Sequence, residues 1–441
     1  MNAGTSKAGS AGIAVAEIVR QDAYLEPFTD IIRRRADRAR ATTSRLTAGR
    51  MSLSDFAAGH EYFGLHRRRD GWVLREWAPH AEAMELVGSF NNWQAASAFR
   101  FERDASRGVW ELRLPSDAIR HGDLFKLRVY WPDGQGERIP AYARRVVQDE
   151  ATKIFSAQVW APAAPYAWRT DWHRKVCAPR IYEAHVGMAQ EDPRVGTYRE
   201  FLDNVLPRIV RAGYNTLQLM AIQEHPYYGS FGYHVSSLFA ASSRFGTPED
   251  LKALVDAAHA AGLAVIMDLV HSHAVRNEVE GLSRFDGTRY QYFHDGPRGD
   301  HVAWDSRCYD YGKIEVLHFL LSNCRFWLDE YRFDGFRFDG ITSMLYFDHG
   351  LGRPFTAYEY YFGGNVDEDA CVYLTLANDV IHAVRPDAIT VAEDVSGMPG
   401  LAAPRKHGGM GFDFRLAMGT PDYWIKLIKE VPDECWHVGA I

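Results

Sequence analysis

The chain has 441 residues, 46% hydrophobic and 24% charged, which excludes collagen-like and wholly disordered classes. At about 150 residues per domain there is room for two or three domains. Fifty Lys and Arg against 57 Asp and Glu give a net charge of -7, so nothing electrostatic points to nucleic acid or an anionic membrane as partner.

Residues 1–15 are rich in Ala, Gly and Ser and are expected to be disordered. From Asp22 to Leu46 a basic, helix-compatible segment carries Tyr24, Leu25, Phe28, Ile31 and Ile32 as an apolar stripe. Arg33-Arg34-Arg35 fits a solvated helix face there. Residues 1–60 thus form a tail and an N-terminal helical segment. Short β-type runs follow at Trp72–Trp77, Met84–Val87, Val109–Leu112 and Leu124–Tyr130. Turn signals separate them at Asn91-Asn92, Arg107-Gly108, His121-Gly122-Asp123 and Pro132-Asp133-Gly134. This spacing predicts an antiparallel, immunoglobulin-like sandwich over residues 61–165, with Ala161–Tyr166 as a linker.

After Pro179 strands alternate with helices. Arg180–Val186 is the first strand, and Thr197 with Glu200 forms a capping box. The helix it opens carries Leu202, Val205, Leu206, Ile209 and Val210 on one side. Tyr214–Met220 is the second strand. Thr247-Pro248-Glu249 then opens a helix with Pro at its first position, and Gly262 closes it. Leu263–Val270, Gly335–Asp339, Ala388–Glu393 and Phe412–Leu416 supply four more strands. Helices are expected at Ile314–Tyr331, Cys371–Ala383 and, amphipathic, Tyr423–Lys429. Alternation of this kind means a parallel sheet. No glycine-rich phosphate loop follows the first strand, while Asp268, Asp339 and Glu393 sit at strand carboxyl ends, where a (β/α)8 barrel keeps its active site. The expected fold class is therefore α/β: an incomplete (β/α)8 TIM-type barrel of about six strands over residues 175–441, behind the sandwich and the helical segment.

Arg337 and Asp339 are two apart on a strand and share a face. The Arg keeps the carboxylate ionised, as a nucleophile requires, although a structural ion pair would look the same. Glu393, in Val391-Ala392-Glu393-Asp394, offers a second carboxyl. Two carboxyls about 5–5.5 Å apart, one ionised and one protonated, run a retaining glycosidic reaction. Such a pair at a strand end also caps helices. Asp268, His271 and His273 can ligate zinc, but no HExxH helix or further ligand set accompanies them, and hydrogen bonds from His273 to sugar hydroxyls fit better. Aromatics reach 13%; their flat faces stack on sugar rings, though a large core uses them too. Five scattered cysteines without CxxC spacing and a poor N-terminal signal sequence fit reduced thiols in a cytoplasm. The longest strongly apolar run, Leu263–Val270, is interrupted by Asp268 and falls short of the roughly 18 residues of a membrane span.

At these residues the sequence resembles the α-amylase superfamily (glycoside hydrolase family 13), and within it the eukaryotic type of 1,4-α-glucan (glycogen) branching enzymes. Ile266–His273, Gly335–Gly340 and Val391–Asp394 look like the first three signature regions. Arg180–Met188 is similar to the family's opening barrel strand, Tyr228–Val235 to its sugar-contacting turn, and Gly411–Met418 to a stretch further on. Gly59–His66, Arg75–Pro79 and Gly88–Trp93 resemble its glycogen-binding-like sandwich, of the CBM48 type. The match runs from about Asp22 to the last residue.

The resemblance implies Asp339 as nucleophile, Glu393 as general acid/base and Arg337 as the residue orienting the nucleophile. It implies Tyr233 stacked on the sugar at the cleavage site, Asp268 and His273 on its hydroxyls, and Trp93 with Lys126 on a glucan surface of the sandwich. Where the family has Gln this chain has His234, which bears on subsite contacts. The family's fourth region is a His-Asp pair on strand seven. After Glu393 the histidines are His407 and His437, neither followed by Asp, so that pair and the last two strands are expected to be missing. An open barrel edge and a tendency to aggregate follow from that expectation. The implied reaction cleaves an α-1,4 bond in glycogen or another α-1,4-glucan and passes the segment to a 6-hydroxyl, with no metal or other cofactor. Water as acceptor would make the same site an isoamylase-like debranching hydrolase. Without the His-Asp pair, a non-catalytic glucan-binding remnant also stays open, as does the oligomeric state.

Overall fold

The computed structural model describes residues 15–171, 176–437 and 439, so of the disorder expected for residues 1–15 all but Val15, which opens the helix Val15–Gln21, lies outside the described residues. The chain divides into a larger compact unit, Gly49–Asp339 with Val380–Ile389, and a smaller one, Met1–Ala48, Gly340–Asp379 and Thr390–Ile441.

The larger unit begins with a sandwich. Its strands are β1 (Gly64–Arg68), β2 (Gly71–Trp77), β3 (Ala83–Gly88), β4 (Glu102–Asp104), β5 (Val109–Leu114), β6 (Leu124–Trp131), β7 (Gly134–Arg138), β8 (Val146–Gln148) and β9 (Phe155–Gln158). One sheet has the order β1-β2-β5-β4, the other β3-β6-β9-β8 with β7 beside β6. All four strands expected here form. The register pairs Met84 with Val129 and Leu86 with Leu127, and all four side chains are fully buried, so the two-residue alternation supplies the inner face. Burying each such side chain contributes roughly 1.5–3 kcal/mol.

Four parallel strands follow in the order β10 (Ile181–Ala184), β11 (Thr216–Leu219), β12 (Ala264–Leu269) and β13 (Gly335–Phe338). The helices between them start where their caps predict. Thr197 accepts from the Glu200 amide at 3.1 Å while the Glu200 carboxylate takes the Thr197 amide at 2.9 Å. Thr247 caps Pro248–Ala260 with Asp250 as its reciprocal partner. The first helix loosens to a π turn over Phe201–Val205, because Pro207 has no amide hydrogen to return to the preceding turn. Its buried stripe is Phe201, Val205, Leu206 and Ile209; Val210 is 37% exposed. Helix Ile314–Tyr331 has the expected bounds. Gly335 stands at φ 141°, where a Cβ would lie 1.9 Å from the Ile389 carbonyl oxygen, so only glycine lets the chain enter β13 there.

In the smaller unit the expected 22–46 helix is split. A 3-10 turn covers Ala23–Phe28, capped by Asp22, and the α-helix runs Thr29–Thr47. Pro27 inside the turn removes the donor a continuous helix needs. The buried stripe is Leu25, Ile32, Ala36, Ala39 and Leu46, while Tyr24 is 76% exposed. Arg33 and Arg34 face solvent, but Arg35 is half-buried on Glu368 at 2.9 Å. Strand β14 (Ile389–Glu393), whose first residue belongs to the larger unit, pairs in parallel with β15 (Phe414–Leu416) within the smaller one. The expected amphipathic helix spans Gly419–Glu430 with Leu427 buried and Tyr423, Trp424, Ile425 and Ile428 exposed. The described residues thus hold six parallel strands, an α/β partial barrel behind a sandwich. None of their helices is long and apolar enough to cross a membrane.

Candidate active site

The parallel register places Asp268 of β12 directly beside Arg337 of β13, on one face. Asp268 is fully buried. Its Oδ2 accepts from the Tyr233 hydroxyl at 2.6 Å and from Arg337 Nη1 at 2.7 Å, and its Oδ1 from Gln218 Nε2 at 2.7 Å. The same Nη1 donates to Asp339 Oδ1 at 3.0 Å, so one guanidinium nitrogen serves two carboxylates. Burial pushes the Asp268 carboxyl up to about 7, against the pull of Arg337 and the Tyr233 hydroxyl; Asp339 and Glu183 add like-charge repulsion. Burial next to Asp268 also drives the Tyr233 phenol far above its ordinary range, so it stays a donor. Asp339 keeps 15% side-chain exposure, which leaves it open to a reacting atom.

His273 has both ring nitrogens in bonds to the protein: Nε2 to the Tyr233 carbonyl at 2.8 Å and Nδ1 to the Ser272 hydroxyl at 2.9 Å. Burial lowers it to about 3, with His234 and His301 adding to the effect, so the ring is neutral and Nε2 is the donor. His273 therefore fixes the backbone of Tyr233. The ring of His234 lies 6.2 Å from that of His273. Trp304 lies 4.9 Å from the His273 ring and stacks on His301 at 4.1 Å.

Glu393 ends β14 in the smaller unit and accepts from the Gly340 amide at 2.7 Å. Its neighbour Asp394 does what a strand-end carboxylate often does. Fully buried, it takes the amides of Ser396, Gly397 and Met398, the hydroxyls of Thr342 and Ser396, and Arg415 Nε. In the sandwich, Trp93 sits at φ 60° at the end of the Gly88–Trp93 turn, with its amide on the Gly88 carbonyl. Arg128 joins the Trp93 carbonyl to Glu137 at 3.4 Å each, and buried Lys126 meets the same Glu137 at 3.3 Å.

Sequence reasoning missed Gln218, Glu183 and Trp304. Gln218 was visible as the polar residue in the apolar strand Thr216–Leu219, and its Nε2 spans Glu183 at 3.0 Å and Asp268. Trp304 lies in an irregular loop and carries no periodic signal. Among the described residues, His60, Glu61 and Asp329 form the group that offers three ligand-type atoms to one ion, and Arg325 already meets both carboxylates at 3.5 and 2.9 Å.

The model of carbohydrate-binding module 48 (isoamylase N-terminal domain) matches residues 62–143, and that of the alpha amylase catalytic domain matches residues 209–301. The chain is 48% identical over 431 residues to a 1,4-alpha-glucan-branching enzyme of Dictyostelium discoideum, covering 96% of this chain and 63% of the relative. It is 49% identical over 432 residues to that of Rhizophagus irregularis, with the same coverage of 96% and 63%. To the 1,4-alpha-glucan-branching enzyme 2-2, chloroplastic/amyloplastic, of Arabidopsis thaliana it is 50% identical over 397 residues, 88% of this chain and 49% of the relative. The pullulanase of Bacillus acidopullulyticus shares the fold at TM-score 0.59 and 18% identity, over 75% of this chain and 41% of that one. A sugar-binding-type sandwich followed by parallel barrel strands with carboxylates at their ends defines the class as the α-amylase superfamily. Within it, the chain is similar to 1,4-α-glucan-branching enzymes along 96% of its own length, and it spans 63% of the length of the first of these relatives.

Proposed function

We propose that the chain cleaves an α-1,4 bond of glycogen or a similar α-1,4-glucan and passes the segment to a glucan 6-hydroxyl, forming an α-1,6 branch. The observation that carries this is the shared Arg337 nitrogen, which donates to Asp339 at 3.0 Å and to Asp268 at 2.7 Å. Asp339 attacks the anomeric carbon as Glu393, acting as acid, protonates the departing oxygen. Glu393 then takes the proton of the incoming 6-hydroxyl, which displaces Asp339 and restores the anomeric configuration. Tyr233 stacks on the sugar at the cleavage site, and Asp268 with Arg337 orders its hydroxyls and the nucleophile. Residues 61–165 act as a glucan-holding domain through Trp93 and Lys126, and residues 175–441 as the catalytic one. A cytoplasmic location agrees with five scattered cysteines that lack CxxC spacing.

Incubation with amylose tests the reading. Falling iodine absorbance with new α-1,6 linkages and no rise in reducing ends is the expected result. Reducing ends accumulating in step with the iodine loss would instead assign water as acceptor. Binding without any change in the glucan would leave a holding role alone.

A further inference from the structure

The sandwich of the larger unit carries an open cavity of about 250 Å³, lined by neither Trp93 nor Lys126. Its walls bring together Arg67, Arg144, Arg145, His66, Trp72 and Trp160, and no Asp or Glu lines it. Arg67 and Trp72 are cross-strand partners on β1 and β2, with the guanidinium 5.8 Å over the indole. Arg145 lies 5.2 Å over Trp160, whose Nε1 engages Glu249 at 3.1 Å.

The arginines are anchored on backbone carbonyls; Glu224 and Glu249 act on Arg145 through space, without an ion pair to it. Arg144 gives Nη2 to the His60 carbonyl at 2.9 Å, and Arg145 gives Nη1 to the Gly246 carbonyl at 2.6 Å. Neither these two nor Arg67 forms a salt bridge among the described residues. Arg145 is only 8% exposed, and its Nε has no hydrogen-bond partner. A buried guanidinium with an unmet donor is costly. An anion with several oxygens would meet that donor.

We propose that this cavity binds a phosphorylated sugar, its phosphate held by Arg67, Arg144 and Arg145 and its ring laid on an indole face. Guanidinium forks match phosphate oxygens, and the partly exposed indole of Trp160 suits a pyranose. The volume lies just under the roughly 300 Å³ at which ordinary ligand pockets begin, the scale of one monosaccharide with its ester. The ester arrives either on a free hexose phosphate or as a phosphomonoester carried by the glucan itself.

Calorimetric titration of the full chain at fixed ionic strength tests this with glucose 6-phosphate, inorganic phosphate, glucose and a singly phosphorylated maltooligosaccharide. Both phosphorylated probes should bind at least about tenfold more tightly than glucose, with phosphate between them. Glucose 6-phosphate matching the oligosaccharide assigns a free metabolite; a tighter oligosaccharide assigns a glucan ester. Either supports the proposal. Arg67→Gln, on an exposed edge, should weaken binding about tenfold without disturbing the fold, and Arg145→Gln by more. Arg33→Gln, on the solvated helix, should change nothing. The proposal is overturned if no phosphorylated probe saturates, if glucose binds equally well, or if Arg67→Gln retains full affinity. Should Arg145→Gln fail to fold, Arg67→Gln decides alone.

Discussion

Asp268 at the end of β12 and Glu76 in β2 are both fully buried carboxyls, and burial raises both, to about 7 and about 8. Their company differs. Among the described residues Glu76 accepts the amides of Ala141 at 2.9 Å and Trp77 at 3.1 Å, and Tyr142 and Tyr292 lie within its field. It fastens a loop to the sandwich and is neutral across most of the pH range. Asp268 has a cation, a phenol and an amide on it, and a second carboxylate hangs from the same cation. Burial gives each group its shift, but of the two only Asp268 shares a cation with a second carboxylate, the placement that the proposed reaction needs.

Substituting Asp339, the proposed nucleophile, breaks the comparison most sharply. Asp339→Asn should abolish branch formation, a loss of about a thousandfold or more, while Glu76→Gln at pH 7 should leave the rate within about twofold. Equal losses in the iodine and linkage assays would mean that the site near Asp268 has no special standing. Arg337→Met comes next. It strips the cation from two neighbouring carboxyls, so urea unfolding should show a loss of about 3–5 kcal/mol. The rate should fall about a hundredfold or more. A variant as stable as wild type would remove the shared guanidinium from the account.

Glu76 is then sharpened by pH. Its folded-state pKa lies above the ordinary value of 4.5, so its stabilising share is complete below pH 4.5 and is lost as pH rises through about 8. Wild type should lose stability between pH 5 and 8 at up to about 1.4 kcal/mol per pH unit from this group. Glu76→Gln should flatten that slope. Part will remain, because Asp268 acts with the same sign between its ordinary 3.8 and about 7. An unchanged slope in thermal unfolding across this range would count against a buried, shifted Glu76.

What could be read in advance follows the physics of each element. Capping boxes at Thr197 and Thr247 and the two-residue alternation of β2, β3, β5 and β6 are local, so those elements stood out in the sequence. Strand β4 (Glu-Arg-Asp) and β7 (Gly-Gln-Gly-Glu-Arg) have no apolar alternation; they exist because β5 and β6 offer them backbone partners. The same holds at the site. Asp268, Arg337 and Asp339 sit in recognisable motifs, whereas Gln218 matters only through the register that sets it between Glu183 and Asp268. His273 is expected from its motif to meet a sugar hydroxyl; that its two nitrogens also meet Tyr233 and Ser272 is a fact of tertiary placement that no spacing encodes.

The smallest expected effect is the most discriminating. Tyr233→Phe keeps the ring that stacks on a sugar and deletes one hydroxyl, the donor 2.6 Å from Asp268 Oδ2. That hydrogen bond favours the ionised carboxylate, and its loss costs about 1 kcal/mol, so the Asp268 pKa should climb above 7 by somewhat less than about one unit. Above pH 8 Asp268 is largely ionised in both proteins, and their branching rates should be close. As pH falls towards 6 the variant protonates first, loses an acceptor for sugar hydroxyls, and falls further behind. The ratio of wild-type to variant rate should therefore grow steadily from pH 8 to pH 6. A ratio constant with pH would assign Tyr233 to stacking alone and would leave Asp268, like Glu76, a buried carboxyl whose shift the reaction does not feel.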